Sequence, residues 1–388
     1  MQQEPTDYVI EVHSTWEEVS EPEWDALWAQ QALPTPFMRH AYLASLQASG
    51  SATAETGWDL RVLCLRHLGQ LLAACPLYLK THSYGEYVFD WAWADAYQRH
   101  GLRYYPKALI AVPFTPVPGS RLLARDAESR RRLCQAVQAW CEQSELSSLH
   151  LLFASEADLK ATQTLGWMQR HTVQFHWQRQ GLRDFDDYLA SLTQEKRKKI
   201  RQERRRVQEA GVSFRHARGT DISAQDWAFF YQCYERTYLE HGNRPYLQPG
   251  FFADMARHLP DHWLLFTAQR DGRDIACSLI GLHDEPGQPR VAYGRYWGAL
   301  ERVDCLHFEA CYYQPLNWCL TQGFDRFEGG AQGEHKMARA LLPVSTHSAH
   351  WLAHPGFAQA VENFLEREET GVSRYLEHLH ERSPLRRG

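Results

Sequence analysis

The chain has 388 residues, a formal net charge of −5, and 44% hydrophobic and 23% charged residues, which is typical of a globular protein. No stretch approaches the ~18 consecutive apolar residues of a transmembrane helix, and the acidic N-terminal segment lacks the basic start and apolar stretch of a signal peptide. These features predict a cytoplasmic protein. The nine cysteines form no CxxC pair and lie mostly in apolar segments, which predicts reduced thiols.

Apolar spacing in the first half predicts alternating helices and strands. In chain order these are helices at 24–31 and 38–48, a β-hairpin at 58–80 with its turn at 67–70, a helix at 126–144, a strand at 146–153, a helix at 155–165 and a strand at 171–179. Residues 81–120 are rich in aromatic residues, glycine and proline. We therefore expect no long regular element there.

The second half repeats this order of elements. The predicted elements are a helix at 184–210, a strand at 212–219, helices at 224–241 and 249–258, strands at 263–269, 274–282 and 290–298, a helix at about 307–322, a strand at 325–330 and a short helix from Glu334. The repeated order suggests a duplicated module, although no residue-level repeat is present. We expect two domains, residues 1–183 and 184–388, with the helix at 184–210 where they join.

Familiar cofactor motifs are absent from the sequence. There is no GxxxxGK[ST], GxSxG or HExxH motif and no EF-hand loop, and GGAQG lacks the GxGxxG spacing of a dinucleotide site. The sequence therefore predicts no bound metal or nucleotide cofactor.

The segment FEGGAQGEHKMARALLP (327–343) combines glycines with acidic, basic and imidazole side chains that could take part in a reaction. Glu328 ends a predicted strand, and Gly329 and Gly330 would let the backbone approach a ligand. Lys336 and Arg339 share one face of the helix that follows. Two interpretations remain open: a helix whose charges face water, or the edge of a reaction cleft.

The segment DCLHFEACYY (304–313) also has two interpretations. In a helix, His307 and Cys311 share a face; with an extended first turn, His307 and Glu309 do. An imidazole beside a carboxylate would suit a general base with its orienting partner. A buried histidine bonded to a backbone carbonyl is the alternative.

Residues 80–116 interleave aromatic and polar side chains in the way that pockets for polar ligands do. The candidate ligand-binding residues there are Tyr84, Glu86, Asp90, Trp91, Tyr105 and Lys107. A loop that folds over the sheet as part of the core is the alternative.

The segment KRKKIRQERRR (196–206) holds eight basic residues and one Glu in an otherwise acidic chain. Its candidate phosphate-binding residues are Lys198, Arg201, Arg204 and Arg205. A phosphate-bearing partner such as a coenzyme, a tRNA or a lipid headgroup would satisfy these charges. A solvated helix face is the alternative.

Four segments together resemble a known family. They are HSYGEYVFDWAWADAY, YYPKALIAVPFTPVPGSRLL, KRKKIRQERRRVQEAGV and FEGGAQGEHKMARALLPV. They are similar to the bacterial peptidoglycan biosynthesis/recognition proteins, predicted N-acyltransferases of the GNAT superfamily related to Fem-type aminoacyltransferases. The resemblance implies an α/β fold of two tandem GNAT-like modules, with mixed, mostly antiparallel sheets flanked by helices. Fem-type enzymes transfer amino acids from aminoacyl-tRNA to a peptidoglycan precursor.

The resemblance and the residue chemistry together predict an N-acyltransferase or aminoacyltransferase. Acyl-CoA or aminoacyl-tRNA would be the co-substrate and a cell-wall precursor or other small molecule the amine acceptor. The R/QxxGxG/A loop of GNAT acetyltransferases is missing from WGALERVDCLHFEA, as it is from Fem-type enzymes.

We expect Glu309 or Glu328 to handle the proton, with His307 or His335 as second candidates, and Lys336 to stabilise negative charge. Gly330, Gln332 and Arg339 are added to the substrate-binding candidates. A non-catalytic protein that binds a polar or cell-wall ligand, and a nucleic-acid-binding protein, are the alternatives.

Overall fold

The computed structural model describes residues 8–331 and 333–386. Its strands are β1 (Tyr8–His13), β2 (Trp58–His67), β3 (Gln70–Lys80), β4 (Lys107–Ile110), β5 (Leu123–Ala124), β6 (Ser148–Leu151), β7 (Met168–Gln178), β8 (Val212–Arg218), β9 (Trp263–Arg270), β10 (Arg273–His283), β11 (Val291–Ala299), β12 (Arg326–Ala331) and β13 (Leu342–Leu352).

The α-helices are α1 (Glu21–Ala29), α2 (His40–Ala48), α3 (Trp91–Arg99), α4 (Ala127–Gln143), α5 (Glu156–Gln163), α6 (Phe185–Ser191), α7 (Gln194–Glu209), α8 (Ala224–Glu240), α9 (Pro249–His258), α10 (Leu306–Phe308), α11 (Gln314–Gln322) and α12 (Pro355–Glu381). A π-helical turn, Glu309–Tyr313, lies between α10 and α11. Short 3₁₀ helices lie at Trp16–Glu18, Pro36–Met38, Ala54–Thr56, Gly219–Asp221, Pro260–His262 and Glu334–Arg339. No helix among the described residues is both long and apolar enough to cross a bilayer.

The chain forms two compact units. Among the described residues, the first comprises 8–172 and 346–373, and the second comprises 173–331, 333–345 and 374–386. These units differ from the simple division at 183/184 expected from the sequence, because the segment 346–373 packs with the first unit. The division into two domains, residues 1–183 and 184–388, stays a prediction.

The two units share one strand order. In the first unit β1, β2, β3 and β4 are antiparallel neighbours, β4 and β6 are parallel, and β6 pairs antiparallel with β13. In the second unit β8, β9, β10 and β11 are antiparallel neighbours, β11 and β12 are parallel, and β12 pairs antiparallel with β7. This shared topology supports the duplication inferred from element order.

Local sequence signals explain many of the element boundaries. The side chains of Ser155 and Ser223 each accept a hydrogen bond from the backbone amide of an aspartate three residues later. The side chain of that aspartate in turn accepts a hydrogen bond from the serine backbone amide, so both helices begin with a capping box. The β2–β3 hairpin turns at Leu68 and Gly69, both with positive φ (47° and 78°), as a two-residue hairpin turn requires.

Each unit has its own apolar core. In the first unit, α4 and α5 pack on the sheet through residues such as Leu133, Val137 and Leu159. In the second, the π-helical turn and α11 cover the sheet, with Tyr313 and Leu316 fully buried. Each core contains aliphatic residues and cysteines, and all nine cysteines are free thiols.

The elements differ from the sequence-based expectations in three respects. The helix expected at 184–210 is two helices, because Leu192 bridges to Leu385 and the Thr193 amide donates to the Pro384 carbonyl. The segment 81–120 does contain a helix, α3, whose Tyr97 packs against Phe357 at a ring-centroid distance of 4.1 Å. Strands β1 and β13 and the long helix α12 were not predicted as elements.

Candidate active site

The ladder between the parallel strands β11 and β12 is short. Within the described residues it runs from the pair Val291–Arg326 to the pair Tyr293–Glu328. Beyond it, β11 stays paired with β10 but carries Arg295 as an extra residue, and β12 follows β7 with a register shift. Such bulges re-aim strands and side chains beside functional sites. We therefore expect an opening in the sheet where this ladder ends.

A cavity of about 140 Å³ lies at the end of the ladder. It is lined by Ser278, Ile280, Gly294, Arg295, Tyr296, Trp297, His307, Cys311, Tyr312, Phe327 and Gly329. Among the described residues no carboxylate lines it. The cavity combines aromatic walls with an imidazole, a phenol and a guanidinium, which is the composition of a site for a polar group with an apolar part.

Two histidines and a tyrosine form a cluster at this cavity. The Tyr312 hydroxyl is 3.1 Å from His335 Nε2, and the rings of His307 and His335 are 6.3 Å apart. Burial, reinforced by the nearby His335 and Arg339, lowers the pKa of His307 to about 4. His307 is therefore a neutral imidazole at pH 7 and can accept a proton.

Lys336 lies beside the same strand end. Its ammonium donates to the Gly330 carbonyl at 2.9 Å, and a Cβ on Gly329 would be 3.3 Å from Lys336 Cδ and 2.5 Å from a Leu341 methyl. Burial lowers the pKa of Lys336 to about 8, so the side chain is mostly protonated at pH 7. Gly329 is thus required for packing, while Gly330 is required by its φ of 79°.

A basic groove of about 590 Å³ lies on the other side of the π-helical turn. Arg201, Arg204 and Arg205 of α7 line it, together with Phe214 and Gln314. Arg201 and Arg205 are exposed and make no ion pair with any described residue, so their charges are available. Lys198, expected to join them, is exposed but is not among the described residues that line the groove.

Glu309 faces this groove and is already paired. Its carboxylate accepts hydrogen bonds from Arg204 Nε at 3.2 Å and from the Gln314 side-chain amide at 2.8 Å. Burial raises its pKa and Arg204 partly opposes that rise. The π-helical turn thus directs Glu309 into the groove and Tyr312 into the cavity, in line with the frequent placement of such turns at functional sites.

Glu328 lines neither the cavity nor the groove. It is 3% exposed, its Oε1 is 3.0 Å from Arg326 Nε, and its Oε2 is 3.7 Å from His176 Nε2. Burial raises the pKa of Glu328 to about 7, against the opposing charge of Arg326. Strand alternation explains the placement, because Phe327 and Gly329 lie on the cavity face of β12 and the Glu328 side chain lies on the other face.

The helix face predicted for Lys336 and Arg339 is not solvated, because both side chains are buried. Arg339 donates to Glu203 at 2.8 Å and lies 3.6 Å over the Phe308 ring. It therefore holds α7 against the segment around the cavity. Gln332 lies outside the described residues.

In the first unit, the predicted ligand-binding residues bond mainly to one another. Lys107 is fully buried and donates to Glu86 and Ser83, each at 2.8 Å, and to Asp90. The Tyr105 hydroxyl is 2.8 Å from Ser83 Oγ. Tyr84 and Trp91, in contrast, are exposed, and their rings meet edge to face with centroids 5.0 Å apart. The cluster is an internal polar network beneath an exposed aromatic pair.

Several residues of these sites were missed from the sequence. Tyr312 and Trp297 line the cavity, His176 adjoins Glu328, and Lys80 lies opposite Lys107 with its ammonium 3.6 Å over the Trp58 ring. Burial lowers the pKa of Lys80 to about 7. For Tyr312 there was a signal, since it directly follows Cys311, which shares the cavity with His307.

The five predicted catalytic residues are thus divided among three environments. His307 lines the cavity, with His335 and Lys336 next to it; Glu309 lines the basic groove; and Glu328 is buried on the other face of the sheet. A single cleft holding both carboxylates is not what the structure shows. No group of three or more histidine, cysteine, aspartate or glutamate side chains in the described part of the chain is arranged to hold a metal ion.

This fold and site define a two-module α/β protein with an opening at the parallel strand pair of its second unit. The chain belongs to the FemAB-like family, described as peptidoglycan biosynthesis/recognition, whose model matches residues 15–387. The sequence-based recognition is therefore confirmed. No curated protein matches the chain in sequence.

Solved structures share the fold at low sequence identity. FemX is 10% identical, with 91% of this chain and 100% of that chain covered and a TM-score of 0.55. L-PGS from Bacillus licheniformis is 10% identical, with 89% and 97% covered and a TM-score of 0.54. The C-terminal domain of a putative lysylphosphatidylglycerol synthetase from Agrobacterium fabrum is 11% identical, with 89% and 95% covered and a TM-score of 0.52. The predicted fold class is confirmed.

Proposed function

We propose that the chain transfers an acyl or aminoacyl group from an activated ester or thioester to an amine, at the end of the β11–β12 ladder. The cavity there carries the proposal, because it brings His307 and Tyr312 to one small space with Lys336 beside it. This reaction needs a proton acceptor, a proton donor and a positive charge, and these three side chains supply them.

The first step is attack of the amine nitrogen on the donor carbonyl carbon. The N–C bond forms, the carbonyl oxygen becomes negatively charged, and one amine proton passes to the neutral His307 imidazole. Lys336 stabilises the negative oxygen, since an ammonium in a buried site interacts more strongly than one in water.

The second step breaks the bond to the leaving group. The carbonyl re-forms, the C–O or C–S bond breaks, and the Tyr312 hydroxyl gives its proton to the departing oxygen or sulfur. Its hydrogen bond to His335 connects it to an exposed imidazole through which solvent restores the proton. His307, whose pKa is about 4, releases to solvent the proton that it took from the amine, so both side chains return to their starting states.

The basic groove suits the donor. Aminoacyl-tRNA and acyl-CoA both carry several phosphates, and the positive charges of Arg201 and Arg205 make no ion pair with a described residue and can bind them. Because Glu309 and Tyr312 belong to the same π-helical turn, a donor held in the groove would reach the cavity around that turn. The family description makes a cell-wall precursor the acceptor class that we propose, and we place the reaction in the cytoplasm.

Product analysis tests this proposal. The full chain would be incubated with charged tRNA or with a panel of acyl-CoA donors and candidate amines, and products would be identified by mass spectrometry. His307→Gln should lower turnover by ~10²–10⁴-fold, the usual cost of losing a proton acceptor. The control His258→Gln changes an exposed histidine away from the cavity and should be fully active.

Two outcomes would refute the assignment. Full turnover in His307→Gln would remove this residue from the chemistry. Tight binding of a donor or acceptor without any product would favour the alternative, a binding protein on a transferase fold.

A further inference from the structure

The cavity at the end of the β11–β12 ladder has a positive electrostatic character. Among the described residues that line it, Arg295 carries a full charge at pH 7 and no carboxylate is present. Lys336 adds a second positive charge beside the same strand end. Glu309 lies in the basic groove and Glu328 lies on the other face of the sheet, so neither carboxylate offsets these charges inside the cavity. Such a cavity favours an anionic group and disfavours a cation.

The irregularity of β11 brings Arg295 to the cavity. In a regular strand only every second side chain faces the same side, yet the four consecutive residues 294–297 all line the cavity. The register with β10 shifts at this point and leaves Arg295 as the extra residue. Because a bulge of this kind redirects a side chain, the guanidinium reaches a space that strand alternation alone would not give it.

The Arg295 guanidinium is held by its neighbour Tyr296. It donates to the Tyr296 hydroxyl at 3.1 Å, and its central carbon is 5.0 Å from the Tyr296 ring centroid. The Tyr296 ring in turn packs edge to face on Tyr234 and Phe252, with ring centroids 5.3 and 5.8 Å apart. A guanidinium that is oriented in this way suits a carboxylate, which it can bind through two parallel hydrogen bonds.

The size of the cavity and its other polar groups define the kind of anion. Its volume of about 140 Å³ is close to the ~150 Å³ that accepts benzene, so about six heavy atoms fit. The Ser278 hydroxyl already donates to the Ala310 carbonyl at 2.6 Å, and the Tyr312 hydroxyl is bonded to His335. A phosphate has three strong acceptor oxygens and needs more donors than one guanidinium. A carboxylate on a short apolar stem, between the aromatic walls, matches both the volume and the donor.

We propose that the substrate whose reacting group enters this cavity carries a carboxylate, and that Arg295 binds that carboxylate. The inference rests on the proposed function, because His307 in the same cavity receives the amine proton. The carboxylate belongs either to the amine acceptor, as in an amino acid, or to the acyl group of the donor, as in a dicarboxylic acyl thioester. The same positive charges keep an attacking amine neutral, which is the form that can react.

A binding measurement tests the carboxylate without the reaction. Butyrate and butyramide have nearly the same shape and differ in charge, and the affinity of the full chain for each would be measured by ligand-observed NMR at pH 7. Butyrate should bind about tenfold more tightly than butyramide, because its hydrogen bonds to Arg295 involve two charged groups. Arg295→Gln should weaken butyrate binding by about tenfold and leave butyramide binding unchanged.

Two further variants control this experiment. Arg273→Gln changes an arginine whose side chain is 70% exposed and which is not among the described residues that line the cavity, so it should bind both probes like the unaltered chain. Thermal melting establishes that each variant is folded. If Arg295→Gln is not folded, Arg295→Lys replaces it; this variant keeps the charge but loses the planar fork, and should weaken butyrate binding by about threefold.

Turnover identifies which substrate carries the carboxylate. β-Alanine and β-alaninamide would be compared as acceptors, and succinyl-CoA and acetyl-CoA as donors, with mass spectrometry of the products. A preference for β-alanine places the carboxylate on the acceptor, and a preference for succinyl-CoA places it on the donor. Arg295→Gln should reduce the preference by about tenfold, mainly through KM, because Arg295 binds the substrate and takes no part in proton transfer.

Equal affinity for butyrate and butyramide would overturn the proposal, and so would a folded Arg295→Gln variant that still prefers butyrate. Product formation that is indifferent to the carboxylate on both substrates would also overturn it, while the transfer reaction itself would stand. Conversely, an Arg295-dependent preference for butyrate without product from any donor would refute the transfer reaction and retain the carboxylate site.

Discussion

Replacing Glu328 by glutamine should stabilise the protein at pH 8 and leave its stability at pH 5 nearly unchanged. The carboxyl group is almost completely buried, and burial raises its pKa to about 7. At pH 5 the side chain is protonated and neutral, so the amide of glutamine has nearly the same shape and charge. At pH 8 the wild-type side chain is a carboxylate buried away from water, and glutamine removes that buried charge.

The size of the effect follows from the two pKa values. The folded-state pKa of about 7 exceeds the ordinary value of 4.5, so the folded protein holds this proton more tightly than the unfolded chain. Stability is therefore present below pH 4.5 and is lost as the pH rises to about 7. A difference of about 2.5 pH units at ~1.4 kcal/mol each is roughly 3.5 kcal/mol. The attraction of Arg326 is already contained in the pKa of about 7 and is not subtracted again, and part of the effect is already lost below pH 5 because the unfolded chain titrates near pH 4.5.

Denaturant unfolding at pH 5, 6, 7 and 8 measures this difference between wild type and Glu328→Gln. We expect the variant to gain about 2 kcal/mol relative to wild type between pH 5 and pH 8. Glu195→Gln is the control, because the Glu195 side chain is 80% exposed and its change should have no pH-dependent effect. Turnover measured on the same samples should be retained, because Glu328 does not line the cavity.

Two results would refute this reasoning. A free-energy difference that stays constant from pH 5 to pH 8 would show that the carboxyl group does not titrate as its burial implies. A ~10²–10⁴-fold loss of turnover in the folded variant would make Glu328 the general base, as one of the sequence-based hypotheses has it.

Three further predictions concern the cavity, the groove and the strand end. Tyr312→Phe should lower turnover by about 10²-fold with little change in melting temperature, as product formation and thermal melting on one sample would show; normal turnover would exclude Tyr312 as the proton donor. Arg201→Gln/Arg205→Gln should weaken binding of charged tRNA and reduce the slope of log K against log salt by about 2, while Lys198→Gln should change it less; an unchanged slope would mean that the groove does not bind phosphates. Gly330→Ala should cost roughly 1–2 kcal/mol in urea unfolding, because alanine is strained at a φ of 79° although its Cβ has room; an unchanged free energy would show that this backbone conformation is not required.

Much of the architecture could be predicted because local signals agree with the final structure. The hairpin at 58–80 has alternating apolar residues around a turn with Gly69, and its strands occupy Trp58–His67 and Gln70–Lys80. The helix at 126–144 has an aspartate cap, Asp126, and a regular apolar stripe. Long-range pairing is not visible in such signals. The pairing of β13 with β6 and of β7 with β12 brings together residues far apart in the chain.

The candidate site was harder to predict, since a residue's role depends on which face of an element it occupies. Glu328 was selected because it ends a strand, yet one-residue alternation places it on the face opposite the cavity. Glu309 and Tyr312 share a short segment, but the π-helical turn sends one to the groove and the other to the cavity. Neither the turn nor the exact register has a local sequence signature.

By itself the sequence determined the order of most elements, the free cysteines and the family, because periodicity, capping and long motifs are local properties that the chain carries wherever it folds. Only the tertiary structure decided which charges are available for chemistry. Lys336 and Arg339 are buried rather than solvated, and Lys107 is engaged with Glu86 and Asp90. Burial and pairing depend on residues brought in from distant parts of the chain, and they set the pKa and the free hydrogen-bonding capacity of each group.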